Sequence, residues 1–399
     1  MQQLNLCQRT LPQHGCDLSF LDVDTARGVA QFHAGFPQYR PTPLHSLEHL
    51  ARHLRVDQVL VKDESLRFGL NAFKVLGSSH AAGHLVADRL GIRLEDLTFQ
   101  QLVSPQTKAT LGSLVLVTAT DGNHGRGVAW TARQLGQRSI VYMPAGSSKE
   151  RADNIAREGA EVSILDCNYD EAVRRANHLA KENGYVLVQD TAWDGYEDIP
   201  RWIMQGYLTM AWEALKQMDG MQARPTHVFL QAGVGSMAAA MAGFFSRAYP
   251  GEQAPIFTVV EPDAVDCVYR SAAAGRRTLV GGLHDTIMSG LACGEPNTLA
   301  LQVLMDHAQN YLSIPDPLAA YGMRILGHPL RDDARIISGE SGAAPLGVAA
   351  AILTDPSLSA MKQALGLQED SVLLFFSTEG DTDRQDYLDI VWKGRYPNG

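Results

Sequence analysis

The stretch Thr118–Trp130, TATDGNHGRGVAW, gathers Asp121, Asn123 and His124 around Gly122 and Gly125, directly after the apolar run of GSLVLVTAT. Glycines let a backbone close tightly at such a turn. A carboxylate held there can accept a proton as a general base once desolvation raises its basicity. Asp190, at the end of YVLVQD, is a second carboxylate in the same setting. Plainer roles remain open for each: a turn cap for Asp121, a helix cap before TAWDGY for Asp190, and packing within the turn for His124.

Lys74 follows Asn71, Ala72 and Phe73 and precedes a small-residue apolar segment. Among apolar neighbours an ammonium loses solvation, which favours the neutral amine that can attack a carbonyl. Farther on, VFLQAGVGSMAAAMAGFF reads as a strand, a loop with Gly233 and Gly235, and an Ala-rich helix entered at Ser236. Backbone amides freed at such a helix start can cradle a phosphate. The loop is neither common nucleotide signature, since no GxxxxGK precedes a Ser or Thr and Ala238 stands where GxGxxG needs its third glycine. A close-packed turn is the alternative. A reactive lysine together with a phosphate cup is what pyridoxal phosphate requires.

These groups need a frame. The runs DQVLVKDES, GSLVLVTAT, SIVYMP, EVSILD, YVLVQD, THVFLQAG, IFTVVEP and SVLLFFSTEG each read as a buried strand ending in polar or glycine residues. Between them, NHGRGVAWTARQLG reads as a helix stopped at Gly136, and SSKERADNIAREG as one opened by serine caps and stopped at Gly159. Alternation of this kind specifies an α/β architecture with parallel sheets covered on both faces, whose ligands collect beyond the carboxyl ends of the strands. Residues 91–112 interrupt the rhythm and read as an insertion. Glu261 and Asp263 are expected to cap the helix after VVEPDAVDC.

Bulk properties agree with an enzyme-sized globular chain. The 399 residues carry 34 basic and 44 acidic side chains, a net charge of -10 without any basic run, which argues against nucleic acid as a partner. No apolar stretch approaches the roughly 18 residues a membrane span needs, and MQQLNLCQRTLPQHG lacks the pattern of a signal peptide, so a cytoplasmic protein is expected. Cys7, Cys16, Cys167, Cys267 and Cys293 form no CxxC pair and are expected to be core thiols. Neither they nor the histidines have metal-ligand spacing.

Together, YRPTPLHSLEHLA, VKDESLRFGLNAFK, TATDGNHGRGVAW, QDTAWDGY, IMQGY, QAGVGSMA, LACGEPN, IISGESGA and STEGDTD resemble the diaminopropionate ammonia-lyase family from Tyr39 to Asp383. These are fold type II pyridoxal-phosphate enzymes of the tryptophan synthase β-subunit group. The Phe73–Lys74 pair, GNHG and the glycine cup carry the general likeness; Asp121 and QDTAW carry the particular one, since related threonine and serine dehydratases usually have a hydroxyl residue where Asp121 stands. The resemblance implies an α,β-elimination of D- and L-2,3-diaminopropionate to pyruvate and two ammonia, with pyridoxal 5'-phosphate as cofactor.

Within that likeness Lys74 would hold the cofactor as a Schiff base beside Phe73, and Gly233, Val234, Gly235, Ser236 and Met237 would bind its phosphate. Asn123 would reach its phenolic oxygen, and Ser377 or Thr378 its pyridine nitrogen. Asp121 would serve the D-substrate and Asp190 the L-substrate, with Glu340 a third acid toward the substrate. A homodimer is expected. The expected architecture is a large cofactor-binding domain of residues 1–87 and 204–399, with a small domain of residues 88–203 inserted. Alternatives are a threonine or serine dehydratase, a β-replacing synthase of the same fold, or a non-catalytic ligand-binding α/β module.

Overall fold

The structure, a computed structural model, describes residues 4–12 and 15–397. Its strands are β1 (Asn5–Gln8), β2 (Leu44–Ser46), β3 (Gln58–Asp63), β4 (Val115–Ala119), β5 (Arg138–Met143), β6 (Glu161–Ile164), β7 (Val186–Leu187), β8 (His227–Gln231), β9 (Ile256–Pro262), β10 (Asn310–Ile314) and β11 (Val372–Ser377). They build a seven-stranded sheet, β1-β10-β9-β8-β11-β3-β2, and a four-stranded sheet, β6-β5-β4-β7. Only the edge pairs β1–β10 and β2–β3 are antiparallel. The central strands β8, β10 and β11 are buried along their whole length, as parallel strands covered on both faces must be.

The helices that bear on the site are α1 (Val75–Leu90), α2 (Asn123–Gln134), α3 (Lys149–Arg157), α4 (Tyr169–Asn183), α5 (Ser236–Ala248), α6 (Cys267–Ala274) and α7 (Glu340–Thr354). Ser148 caps α3 by accepting from the Arg151 amide at 3.2 Å. Past the ends of α2 and α3, Gly136 and Gly159 take φ of 61° and 95°, which explains why both helices stop there. Glu261 caps α6, accepting from the amides of Val268 at 2.9 Å and Tyr269 at 2.5 Å. Asp263 does not share that role and faces solvent.

The structure corrects several expectations. Strand β6 is not buried: it is the free edge of the four-stranded sheet, and three of its four residues are exposed. The YVLVQD strand shrinks to two residues because its pairing with β4 covers only Val186 and Leu187. Strands β1, β2 and β10 had no signal, the first two being short edges and β10 carrying Asn310 and Ser313 within NYLSI. Of the five cysteines, only Cys267 and Cys293 are buried; Cys7, Cys16 and Cys167 are half-buried.

A buried ionic cluster fixes the segment that leads from β3 to Lys74. Arg67, with no exposed surface, donates to Glu64 at 2.8 and 2.9 Å and to both oxygens of Glu213 at 2.8 Å. Lys62 donates to Glu213 at 2.7 Å and to the Thr42 carbonyl at 2.6 Å. Two cations thus face two carboxylates, which offsets the cost of removing four charges from water. Beyond the cluster, the Phe73 amide donates to the Thr378 carbonyl at 3.0 Å, so Lys74 is referenced to the end of β11.

Candidate active site

The cavity opens between the two sheets at the carboxyl ends of their parallel strands. Thr120, Asp121, Asn123, His124, Tyr169 and Asp190 line it from the four-stranded side. Phe73, Lys74, Gln231, Gly233 to Met237, Thr378 and Glu379 line it from the other. The lysine, the two aspartates, the GNHG turn and the glycine cup therefore converge. Two of the expected residues, Ser377 and Glu340, do not line it.

Lys74 stands at the start of α1, and its Nζ donates to Oδ2 of Asp190. The expected neutral amine is contradicted by this contact. Burial works against the Lys74 charge, but the Asp190 carboxylate overrides it and holds the ammonium above its ordinary range. Burial would likewise raise Asp190, yet its carboxyl is held well below the usual range by the His124 and Lys74 side chains. Of these two, His124 is itself pushed down by burial and is neutral at physiological pH, so Lys74 supplies the charge. Nε2 of His124 donates to the Val188 carbonyl at 2.8 Å, which leaves Nδ1 unprotonated and 3.8 Å from Asp190. Tyr169, donating at 3.3 Å, and Gln189, at 3.2 Å, hold the other Asp190 oxygen.

Asp121 is in the opposite condition. Burial raises its carboxyl to about 6, against the opposing pull of the Arg151 and Lys74 cations. Its Oδ2 is buried with no hydrogen-bond partner and lies 3.7 Å from Nη1 of Arg151. A carboxylate that is desolvated, without a hydrogen bond on its buried oxygen and titrating near neutrality is suited to taking up a proton. Glu340, the first residue of α7, is raised to about 7 by burial. Glu340 itself does not line the cavity and reaches it through Arg151, whose Nη2 is 3.8 Å from its Oε2, whereas the next residue of α7, Ser341, is part of the cavity wall.

The glycine cup fits a phosphate. A Cβ at Gly233 would come within 3.1 Å of Leu291 and 3.2 Å of the Gly290 carbonyl, and Gly235 takes φ of 96°. Gly235 caps α5 with no side-chain hydrogen bond, so the first amides of the helix are free for an anion. The Ser236 hydroxyl is already engaged, donating to the Asp190 carbonyl at 2.6 Å and accepting from Asn297 at 2.9 Å. Backbone amides are therefore the donors this cup offers.

Thr378 accepts from Nε2 of Gln231 at 2.8 Å, which leaves its own proton free to donate into the cavity. Ser377, the last residue of β11, has a buried Oγ without a hydrogen-bond partner and does not line the cavity, whereas Thr378 does. Asn123 donates to Glu379, a residue the sequence reading had not singled out; Oε1 of Glu379 is unpartnered. Arg151, within the SSKERADNIAREG helix, was not singled out either. The signal was its spacing from Ile155, since the pair forms the buried face of α3. These residues fit pyridoxal phosphate: a lysine amine at the cavity, a phosphate cup, and a hydroxyl donor opposite.

The fold and the cavity together define a pyridoxal-phosphate-dependent enzyme, and the family model of that description matches residues 36–377. Diaminopropionate ammonia-lyase of Escherichia coli (strain K12) is 49% identical over 372 residues, covering 93% of this chain and 92% of the relative. That of Salmonella typhimurium (strain LT2) is 47% identical over 385 residues, covering 96% and 95%. The crystal structure of the Escherichia coli enzyme with an aminoacrylate-PLP azomethine reaction intermediate matches with a TM-score of 0.92 at 44% identity, covering 99% of this chain and 98% of that one. The chain belongs to the diaminopropionate ammonia-lyase family.

Proposed function

We propose that this protein eliminates ammonia from both D- and L-2,3-diaminopropionate, giving pyruvate and two ammonia with uptake of one water. The observation that carries the reading is the convergence on Lys74 of two carboxylates in opposite states, Asp190 hydrogen-bonded to the Lys74 ammonium and Asp121 desolvated with no hydrogen-bond partner on its Oδ2. Pyridoxal phosphate, when bound, supplies the carbonyl that condenses with the substrate amine and a ring that draws electron density from the α-carbon. Gly233 to Met237 would hold its phosphate and Thr378 would donate to its ring nitrogen.

Lys74 would be the amine that holds the cofactor and releases the product, and the proton it must lose to act as a nucleophile passes by way of Asp190 to solvent, which leaves Asp190 ionised again. Asp121 accepts the α-proton of the D-substrate; Asp190 does so for the L-substrate from the other face. The newly protonated carboxyl returns a proton to the β-nitrogen, which leaves as ammonia. Water then hydrolyses the released enamine to pyruvate and the second ammonia.

The division into a large body of residues 1–87 and 204–399 and a small one of 88–203 belongs to the same proposal. It is supported by the four-stranded sheet, whose strands all fall within 88–203. Movement of the small body would exclude water from the cavity. A homodimer is proposed on the resemblance and on the frequency of twofold assemblies. Assay of pyruvate and ammonia from D- and L-diaminopropionate, beside serine and threonine, tests the function; faster turnover of serine or threonine would replace it with a dehydratase.

A further inference from the structure

Arg151, on α3, lies between the turn of Asp121 and the seven-stranded body. Its stem rests on the turn itself: a Cβ on Gly122 would come within 3.2 Å of the Arg151 Cδ. Its side chain is 9% exposed, and its guanidinium faces three groups at once, 3.7 Å from Asp121, 3.8 Å from Glu340, and donating to the Ser289 hydroxyl. Asp121 belongs to the four-stranded body, whereas Ser289 and Glu340 belong to the other. Among the described residues, Arg151 is the only ion-pair partner of Asp121, and it makes no such contact with Asp190.

We propose that Arg151 is a positioning residue for the D-substrate: it aims the Asp121 carboxylate into the cavity and ties it across the two bodies to Ser289 and Glu340. The inference rests on the reading of Asp121 as the base for that enantiomer. Within 4 Å the guanidinium meets two carboxylates, Asp121 and Glu340, at nearly equal distance, and Glu379 and Asp383 also act on its charge. The charged and titratable groups that face Asp121 are Arg151 on α3, Lys74 at α1, Glu379 beyond β11, Tyr169 on α4 and Cys293. Of the charges, Arg151 pulls hardest toward the ionised carboxylate.

Two consequences follow. Removing the guanidinium leaves Asp121 easier to protonate, so the acid limb of D-turnover moves to higher pH. Glu340, raised to about 7 by burial, is already mostly protonated where Asp121 titrates near 6, so neutralising it moves that limb little. L-turnover, which uses Asp190 beside Lys74, follows neither change. Enantiomers titrate identically in solution, so any difference between the two profiles belongs to the protein.

The test is kcat/KM against pH for both enantiomers with the holoenzymes of Arg151→Met, Arg151→Lys and Glu340→Gln, with the cofactor absorption spectrum as the check that the site is filled. Arg151→Met should raise the D-limb by about one pH unit, the scale set by an opposite charge a few ångströms away. Arg151→Lys should return part of that shift, and Glu340→Gln, which replaces a group already mostly protonated there, should move the D-limb far less than Arg151→Met. Should Arg151→Met fail to fold, a partial rise of the D-limb alone in Arg151→Lys decides. A D-limb that stays in place in the Arg151 variants, or D- and L-limbs that move together, overturns the proposal. Asp121→Asn in parallel separates the two layers: equal loss of both enantiomers there removes the Asp121 reading and this inference with it, whereas selective D-loss with an unmoved Arg151→Met limb removes the inference alone.

Discussion

Lys74 donates from Nζ to Oδ2 of Asp190, joining a side chain that is 19% exposed to one that is 3% exposed. The amine that must attack is thus charged until its proton passes to the carboxylate beside it. Lys74→Ala removes both the attachment point and this proton exchange. Turnover should fall by at least ~10³-fold, the scale on which loss of a covalent nucleophile acts. The visible absorption that added pyridoxal phosphate gives the native protein should be lost as well. Near-native pyruvate release would take the role away from Lys74.

The two aspartates should separate by enantiomer and by pH. A base must be ionised, so D-turnover should decline as pH falls through about 6, where burial has raised the Asp121 carboxyl. L-turnover should persist to lower pH, because Lys74 keeps Asp190 ionised below the ordinary carboxylate range. Asp121→Asn should cost mainly D-turnover and Asp190→Asn mainly L-turnover, each by ~10²- to 10⁴-fold. Coincident profiles for the two enantiomers in the native enzyme would contradict the division.

Gly235→Ala probes the cup. At φ of 96°, with a new Cβ 3.3 Å from Leu304, the substitution should cost the cofactor-free protein roughly 1–3 kcal/mol of stability. The tightened loop should also weaken phosphate binding, so the rise in Tm on adding pyridoxal phosphate should shrink. A full cofactor-induced rise in the mutant would mean that the loop is only a packed turn.

Arg67→Met tests the ionic cluster beneath the lysine segment. It leaves the buried carboxylates of Glu64 and Glu213 with Lys62 as their remaining cation. Breaking a buried pair from one side costs about 3–5 kcal/mol, readable as a shifted denaturant midpoint. A midpoint within error of the native one would show the cluster to be energetically neutral.

Much of this protein is written locally. The strand runs ending in polar residues, the serine cap of α3 and the glycines past α2 and α3 act over a few residues, and their outcome follows from backbone freedom and hydrogen bonding near in sequence. Lys74, Asp121, Asp190, Asn123 and the Gly233 loop were legible for a related reason: each stands at the end of a buried strand or the start of a helix, where parallel sheets expose functional groups. What only the tertiary structure decided is which groups share an electrostatic environment. The charge on Lys74, the opposite states of Asp121 and Asp190, the choice of Thr378 over Ser377, and the entry of Arg151 and Glu379 all arise from contacts between residues far apart in the chain. Solvation and Coulomb energies depend on distance in space, and no pattern within one segment encodes the distance from Asn123 to Glu379 or from Arg151 to Glu340.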